Sequence, residues 1–435
     1  MTPPDSLPPS TPPTPSSPRP SVERRTPAGW VLLFIQLALL GYATLLVVRT
    51  ILGLRSEPSG ALTPPLSAVE ILSGADTAGY ARAMAPIPFQ FPEDHGPHPE
   101  YRTEWWYLTG NLDGMDGRPY GYQFTLFRNA LSPLSPDRGS LWDTNQLWLG
   151  HLALTDPTGG RHLQAERFAR GSAGLAGGSG APFRIWVDGW SLGTEGASGG
   201  GGEGADGEDI FPLRVQAAAE GWGVDLLLRP EKGLVLQGRE GWSPKGPEAG
   251  NASYYYSYTR LAATGELTLD GVAVPVAGGS WMDREWSTSA LGEGLEGWDW
   301  FSLQLEDGSE LMLFQLRRSE GTRDPLDQGL WVSRSGEATP LTAAEFELEV
   351  LDQWSSPLDG TTYPAGWRLT IPHLSLTLDV RPLLADQEMR LTFRYWEGAV
   401  RASGVRAGEI VQGRGYVELT GYAGGGIDGP HRRHR

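Results

Sequence analysis

Period-two hydrophobic alternation, broken by Asp-Gly pairs, confines this chain more than any other feature. Tyr120, Tyr122, Phe124 and Leu126 fall on one side of the run 119–128, and Leu374, Leu376, Leu378 and Val380 repeat the pattern. Over 390–396, Leu391, Phe393 and Tyr395 alternate with Thr392, Arg394 and Trp396. Such spacing puts apolar side chains on one face of a strand. The pairs Asp113-Gly114, Asp116-Gly117, Asp270-Gly271 and Asp307-Gly308 sit between these runs, and Asp-Gly tolerates the positive φ of tight hairpins. No long 3.6-period stretch follows residue 86, so helix is expected only at 68–83 and 342–346. Many short strands with few helices give an all-β chain, a barrel or a sandwich.

Composition then excludes several functions. Cysteine is absent, which removes disulfides, thiolate metal sites and thiol nucleophiles. A net charge of −17, with Lys232 and Lys245 as the only lysines, argues against nucleic acid as a partner. The 59 glycines and 17 tryptophans fit strands joined by tight turns around aromatic faces.

The first part of the chain follows a different logic. Residues 1–27 form a Pro-rich tail that cannot bury a core and is expected to be disordered and cytoplasmic. Residues 28–48 are apolar and uncharged, long enough for a helix to span a bilayer, and no small-residue cleavage site follows them. They read as an uncleaved signal anchor in the inner membrane, with residues 49–85 as linker and the globular part exported to the periplasm. Arg24-Arg25 resembles a twin-arginine signal, but the residues after it do not match. The positive-inside bias is small, since Arg19, Arg24 and Arg25 are offset by Arg49 and Arg55. Residues 425–435, including His431 and His434, are expected to be a disordered tail.

A set of motifs narrows the globular part further. FPEDHGPHPEYRTEWWYLTGNL at 91–112, GHLALT at 150–155, ERFAR at 166–170 and GPEAGNASYYY at 246–256 come first. WMDREWS at 281–287, GWDW at 297–300 and RPLLADQE at 381–388 follow. Together they resemble the AttH family, whose members share a lipocalin-like domain with carotenoid 1,2-hydratases and are often labelled secreted hydrolases. The resemblance spans roughly residues 86–423 and implies two consecutive lipocalin-like, calycin-type β-barrel domains, at 86–288 and 289–424, framing an apolar pocket.

Hydrating an unactivated isoprenoid double bond requires a protonated acid, aromatic faces for the carbocation and a polar group to place water. It needs no cofactor. Asp283 and Glu285 share one face of a strand between Trp281 and Trp286, with Arg284 on the other. Asp283 is the first choice as acid and Glu285 as its partner or base, because a carboxyl among tryptophans is desolvated and keeps its proton. Glu104 offers a third carboxylate, beside Trp105, Trp106 and Tyr107. Substrate-binding candidates are those three aromatics with His151, Tyr255, Trp281, Trp286, Trp298 and Trp300. The structural alternative is that Glu104, Asp283 and Glu285 form buried ion pairs with arginine.

Other sites are weaker. Asp94, His95, His98 and His151 offer metal-ligand types, but the first three sit in a turn without metalloprotease spacing, so no metal is expected. Gly196-Ala197-Ser198-Gly199-Gly200 matches a hydrolase nucleophile elbow in form but lies in the glycine-rich loop 192–208, without the strand and helix that motif needs. Ser253 and Ser287 are the serines considered against His151 for a hydrolase. Four functions remain open: a hydratase acting on an apolar isoprenoid or lipid, a non-catalytic lipid carrier serving an envelope ABC-type exporter, a purely structural envelope protein, and a secreted hydrolase, the least supported. The first two differ at the carboxylates. Unpaired in a cavity, they favour catalysis; each paired with arginine, they favour binding.

Overall fold

Alternation in this chain is resolved into strands, of which the central ones are buried on both faces and the edge ones are partly exposed. The computed structural model describes residues 77–134, 139–140, 142–196, 210–289, 291–292, 294–318, 320 and 322–423. The Pro-rich tail, the apolar run 28–48, Ser198 and the terminal histidines lie outside those residues. No helix among the described residues is long and apolar enough to cross a membrane.

The first sheet opens with β1 (Thr103–Gly114), β2 (Pro119–Ala130), β3 (Gln146–Asp156) and β4 (Arg161–Arg170). Shorter strands follow: β5 (Ala176–Ser179), β6 (Arg184–Val187), β7 (Trp190–Thr194), β8 (Leu213–Ala219) and β9 (Trp222–Pro230). Then come β10 (Val235–Leu236), β11 (Trp242–Pro244), β12 (Ala252–Leu269) and β13 (Val272–Ser287). The second sheet begins with β14 (Leu295–Leu305), β15 (Glu310–Arg318), β16 (Gln328–Val332) and β17 (Ala338–Thr342). It continues through β18 (Glu347–Ser355), β19 (Thr362–Ile371) and β20 (Leu376–Pro382) to β21 (Glu388–Arg390), β22 (Arg394–Arg406) and β23 (Glu409–Leu419).

Both sheets follow one plan. Their main orders are β4-β3-β2-β1-β13-β12-β9-β8-β7-β6-β5 and β17-β16-β15-β14-β23-β22-β20-β19-β18, so the first strand of each pairs with its last. That closure curls each meander towards a barrel. In the first, Phe124 of β2 meets Trp190 of β7 at 6.2 Å between ring centroids, joining the two arms of the meander. Asp270 and Gly271, both at positive φ (52° and 77°), make the tight turn joining β12 to β13. The chain is thus all-β, with one nearly closed and one half-open barrel-like sheet.

Among the described residues the alternation builds three large apolar clusters and one small one around Ala153, Met389 and Tyr395. Trp106, Leu108, Tyr122, Phe124, Leu126 and Met282 fill the first barrel, and Phe301, Leu303, Trp367, Trp396, Val400 and Val417 fill the second. The opposite faces of the shared strands meet between the barrels, where Tyr107, Tyr255, Trp281, Trp300, Phe314 and Tyr416 pack together. The approach is close: a Cβ on Gly121 of β2 would lie 2.5 Å from Ala399 and 2.9 Å from the Tyr416 hydroxyl.

Three local expectations need correction. The described residues of the expected helix at 68–83 are turn and irregular chain, and 342–346 is a turn at the end of β17. In that turn the Glu345 carboxylate accepts from the Thr342 amide and hydroxyl, at 2.8 and 2.7 Å, closing a local side-chain turn. The run 390–396 is not one strand: Arg390 pairs with Arg394 across a hairpin, with residues 391–393 between them.

Candidate functional site between the barrels

The sequence Trp281-Met282-Asp283-Arg284-Glu285-Trp286 lies on β13, which pairs with β1 on one side and β12 on the other. Its even residues enter the first barrel. Asp283 and Glu285 face the second barrel and line a cavity of about 120 Å³. Trp105, Tyr107, Tyr255, Trp298, Trp300 and Phe314 supply aromatic walls, and Lys245, His151, Tyr395 and Glu418 also line it.

Asp283 is held by three uncharged donors. Tyr255 Oη donates to Oδ2 at 2.6 Å, Ser257 Oγ to Oδ1 at 2.5 Å and Trp281 Nε1 to Oδ1 at 2.7 Å. Ser257 in turn accepts from Gln237 Nε2 at 2.8 Å, and Tyr255 accepts from Trp300 Nε1 at 3.2 Å. Among the described residues no cation forms an ion pair with Asp283. Burial raises its pKa to about 7; the three donors offset part of that, and the nearby Glu285 charge adds to it. Around neutral pH the group therefore exists both as acid and as carboxylate. Its hydroxyl partners can rotate to accept when it is protonated.

Glu285 is different, because its Oε1 lies 3.2 Å from Lys245 Nζ. The same ammonium sits 4.1 Å from the Phe314 ring centroid and 5.4 Å from that of Tyr255. On the opposite wall, Glu418 of β23 accepts from Trp298 Nε1 at 2.7 Å. Its cross-strand partner is Glu397 of β22, which accepts from Tyr107 Oη at 2.7 Å. Burial pushes Glu418 up to about 7, despite the hydrogen bond from Trp298, and pushes Glu397 well above the usual range.

Glu104 does not join this group. It points into the first barrel on the face of β1 that carries Trp106, and ion-pairs with Arg128 and Arg284. Burial opposes its charge, but the two guanidiniums overcome that and hold the carboxyl well below the usual range. Arg284 also lies over the Trp106 and Trp286 rings, at 4.0 and 4.9 Å. Trp106 and Trp286 are thus core residues away from the cavity. Trp281 sits behind the lining and touches it through its bond to Asp283.

His151 reaches the cavity, with Nδ1 2.8 Å from Tyr395 Oη, and burial lowers its pKa to about 3. His95 and His98 are elsewhere: His95 Nδ1 bonds Tyr256 Oη at 2.6 Å, and His98 Nε2 lies 3.1 Å from Asp94. Among the described residues no group of three or more His, Asp or Glu side chains is arranged to hold a metal. Ser253 and Ser287 donate to the backbone carbonyls of Ser243 and Ala252 rather than to His151.

Lys245, Glu397 and Glu418 escaped the sequence reading. A signal existed for the first two. Lys245 is one of two lysines, and Glu397 interrupts an apolar row between Tyr395 and Ala399, whereas Glu418 falls on the polar parity of its strand with Arg414 and Thr420.

The sequence profile of AttH-like proteins matches residues 82–422, the whole of both sheets. The chain belongs to the AttH family. A crystal structure of a protein described as AttH from Nitrosomonas europaea superposes with a TM-score of 0.67 at 33% identity, covering 79% of this chain and 99% of that one. Kievitone hydratase from Nectria haematococca superposes with a TM-score of 0.59 at 16% identity, covering 82% of this chain and 98% of its own, a likeness of fold. No curated protein sequence matches significantly. The arrangement of two barrel-like sheets is thus that of the AttH family, shared in fold with a hydratase.

Proposed function

We propose that this AttH-family protein adds water to a carbon–carbon double bond of an apolar, isoprenoid-type molecule held between its barrels, with Asp283 as the acid. One observation carries the reading: Asp283 lines an aromatic cavity, buried, without a cationic partner among the described residues and with its pKa raised to about 7. A carboxylic acid in that state can protonate an alkene, and the indole and phenol faces of Trp300, Tyr255 and Tyr107 suit the resulting tertiary cation. Glu285, neutralised by Lys245, contributes polarity at the cavity wall. The fold shared with kievitone hydratase supports the same class of reaction. No cofactor is called for, since acid, cation stabiliser and water suffice.

An anchor at 28–48 in the inner membrane, with the barrels outside the cytoplasm, would present the cavity beside a bilayer from which apolar substrates partition. A lipid carrier working with an envelope exporter would use the same aromatic walls without using the acid. Whole-lipid mass profiles separate the two. Native cells, a deletion strain and that strain carrying Asp283→Asn are compared. Hydration predicts a lipid class that differs by the mass of one water on deletion and is not restored by the variant. Unchanged species that merely shift in abundance, or full restoration by the variant, would favour the carrier.

A further inference from the structure

We infer that Glu418 is a second catalytic residue, holding the attacking water and accepting its proton, with the buried Glu397 as its positioning partner. The inference rests on the hydratase reading of the cavity. Three observations lead to it: where Glu418 lies, how Glu397 is bonded and what surrounds the pair.

Glu418 lines the cavity from β23, on the wall facing β13, so a substrate between the barrels has Asp283 on one side and Glu418 on the other. Trp298 Nε1 fixes one oxygen at 2.7 Å. Directly across the β22–β23 ladder, Glu397 is wholly buried and absent from the lining. Tyr107 donates to its Oε1, while its Oε2 finds no donor. Glu397 and Glu418 are register partners on neighbouring strands, so their carboxyls stand side by side, and burial raises both. Among the described residues neither forms an ion pair with a cation.

Two adjacent buried carboxyls cannot both ionise. Glu397 is the more buried and keeps its proton, which leaves Glu418 as the member of the pair that ionises. Burial nevertheless leaves Glu418 near 7, level with Asp283 across the cavity. The other charged groups facing it are Glu285 and Lys245, which neutralise each other, and Tyr107 and Tyr395 stay un-ionised because burial pushes them far up. A buried acid pair without a cation costs stability, so packing gives no reason for it.

The reaction balances. Asp283 transfers its proton to one alkene carbon, leaving a tertiary cation and the Asp283 carboxylate. Water held by Glu418 forms the carbon–oxygen bond and loses one proton to Glu418, giving the alcohol. Return of that proton to Asp283 through solvent resets the site.

The test uses the full-length protein with the total lipid extract of a deletion strain, dispersed in detergent in deuterated water. Wild type should form alcohol. Glu418→Gln should lower alcohol formation by about 10²- to 10⁴-fold while still exchanging deuterium into the alkene, because Asp283 continues to protonate it reversibly. Asp283→Asn should abolish both. Alcohol formation at the wild-type rate by Glu418→Gln, or loss of exchange together with hydration, overturns the role of Glu418 and leaves the hydratase reading standing. A wild type that neither hydrates nor exchanges removes that reading and this one with it. Infrared spectra without substrate provide an independent check: Glu397→Gln should remove a protonated-carboxyl band at pH 7, and a wild type lacking such a band overturns the protonated state of Glu397.

Discussion

Asp283 and Glu285 stand two residues apart on one face of β13, yet only Glu285 has a cation, with Lys245 Nζ 3.2 Å from its Oε1. Asp283 meets a phenol, a hydroxyl and an indole instead. The same strand thus presents a neutralised carboxylate beside a carboxyl that keeps its proton into the neutral range, and the difference separates their proposed roles.

Asp283→Asn should fold normally, because the amide is isosteric with the neutral acid and can retain bonds to its hydroxyl neighbours. Hydration should fall by about 10²- to 10⁴-fold. Circular dichroism and product assay on the same preparation check both halves.

The Asp283 carboxyl also sets a pH dependence of stability. In the unfolded chain it loses its proton near 3.8, whereas in the fold it keeps it to about 7. The native state therefore binds more protons across that window, and stability falls as pH rises through it. The group accounts for a decrease on the order of 4 kcal/mol. Urea titrations at several pH values should show a shallower decline in Asp283→Asn, with Glu418 still contributing.

Glu104→Gln should damage the fold rather than the chemistry. It leaves Arg128 and Arg284 without their shared carboxylate inside the first barrel, a change that costs about 3–5 kcal/mol when one member of a buried pair is lost. Denaturant midpoints measure this, and protein that remains folded should keep its activity per molecule.

Gly121→Val tests the contact between the barrels. Its side chain would meet Ala399 and the Tyr416 hydroxyl where a Cβ alone already comes within 2.5 and 2.9 Å. A loss of about 1–3 kcal/mol is expected from overpacking, together with altered tryptophan fluorescence from the cavity. Unchanged stability and fluorescence would contradict such close packing.

Trp300→Leu should slow hydration about tenfold through loss of cation stabilisation, while Trp300→Phe keeps most of the rate. A kcat effect larger than the KM effect distinguishes this from simple loss of binding.

Much of this architecture was legible because alternation and Asp-Gly turns are local. Trp281, Asp283 and Glu285 separate from Met282, Arg284 and Trp286 by parity alone, as the structure has them. The same parity separates Glu104 and Trp106 from Trp105 and Tyr107; treating those four as one aromatic cluster obscured it. In β12 the face reverses at an irregularity between Tyr258 and Leu261, so Tyr256 and Leu261 enter the same core despite opposite parity. Backbone registers of that kind leave no clear mark on residue spacing. Glu418 was hidden for another reason: it reaches the cavity from the second sheet, with the buried Glu397 beside it on the next strand, through the packing of two barrels rather than any motif.

The most direct test of Asp283 as the acid of a hydratase is oxygen-18 incorporation from labelled water into lipids of a deletion-strain extract, with wild type and Asp283→Asn run in parallel. The account predicts a labelled alcohol from wild type and none from the variant. Equal labelling by both proteins, or no labelled product from wild type across the neutral pH range, would contradict it.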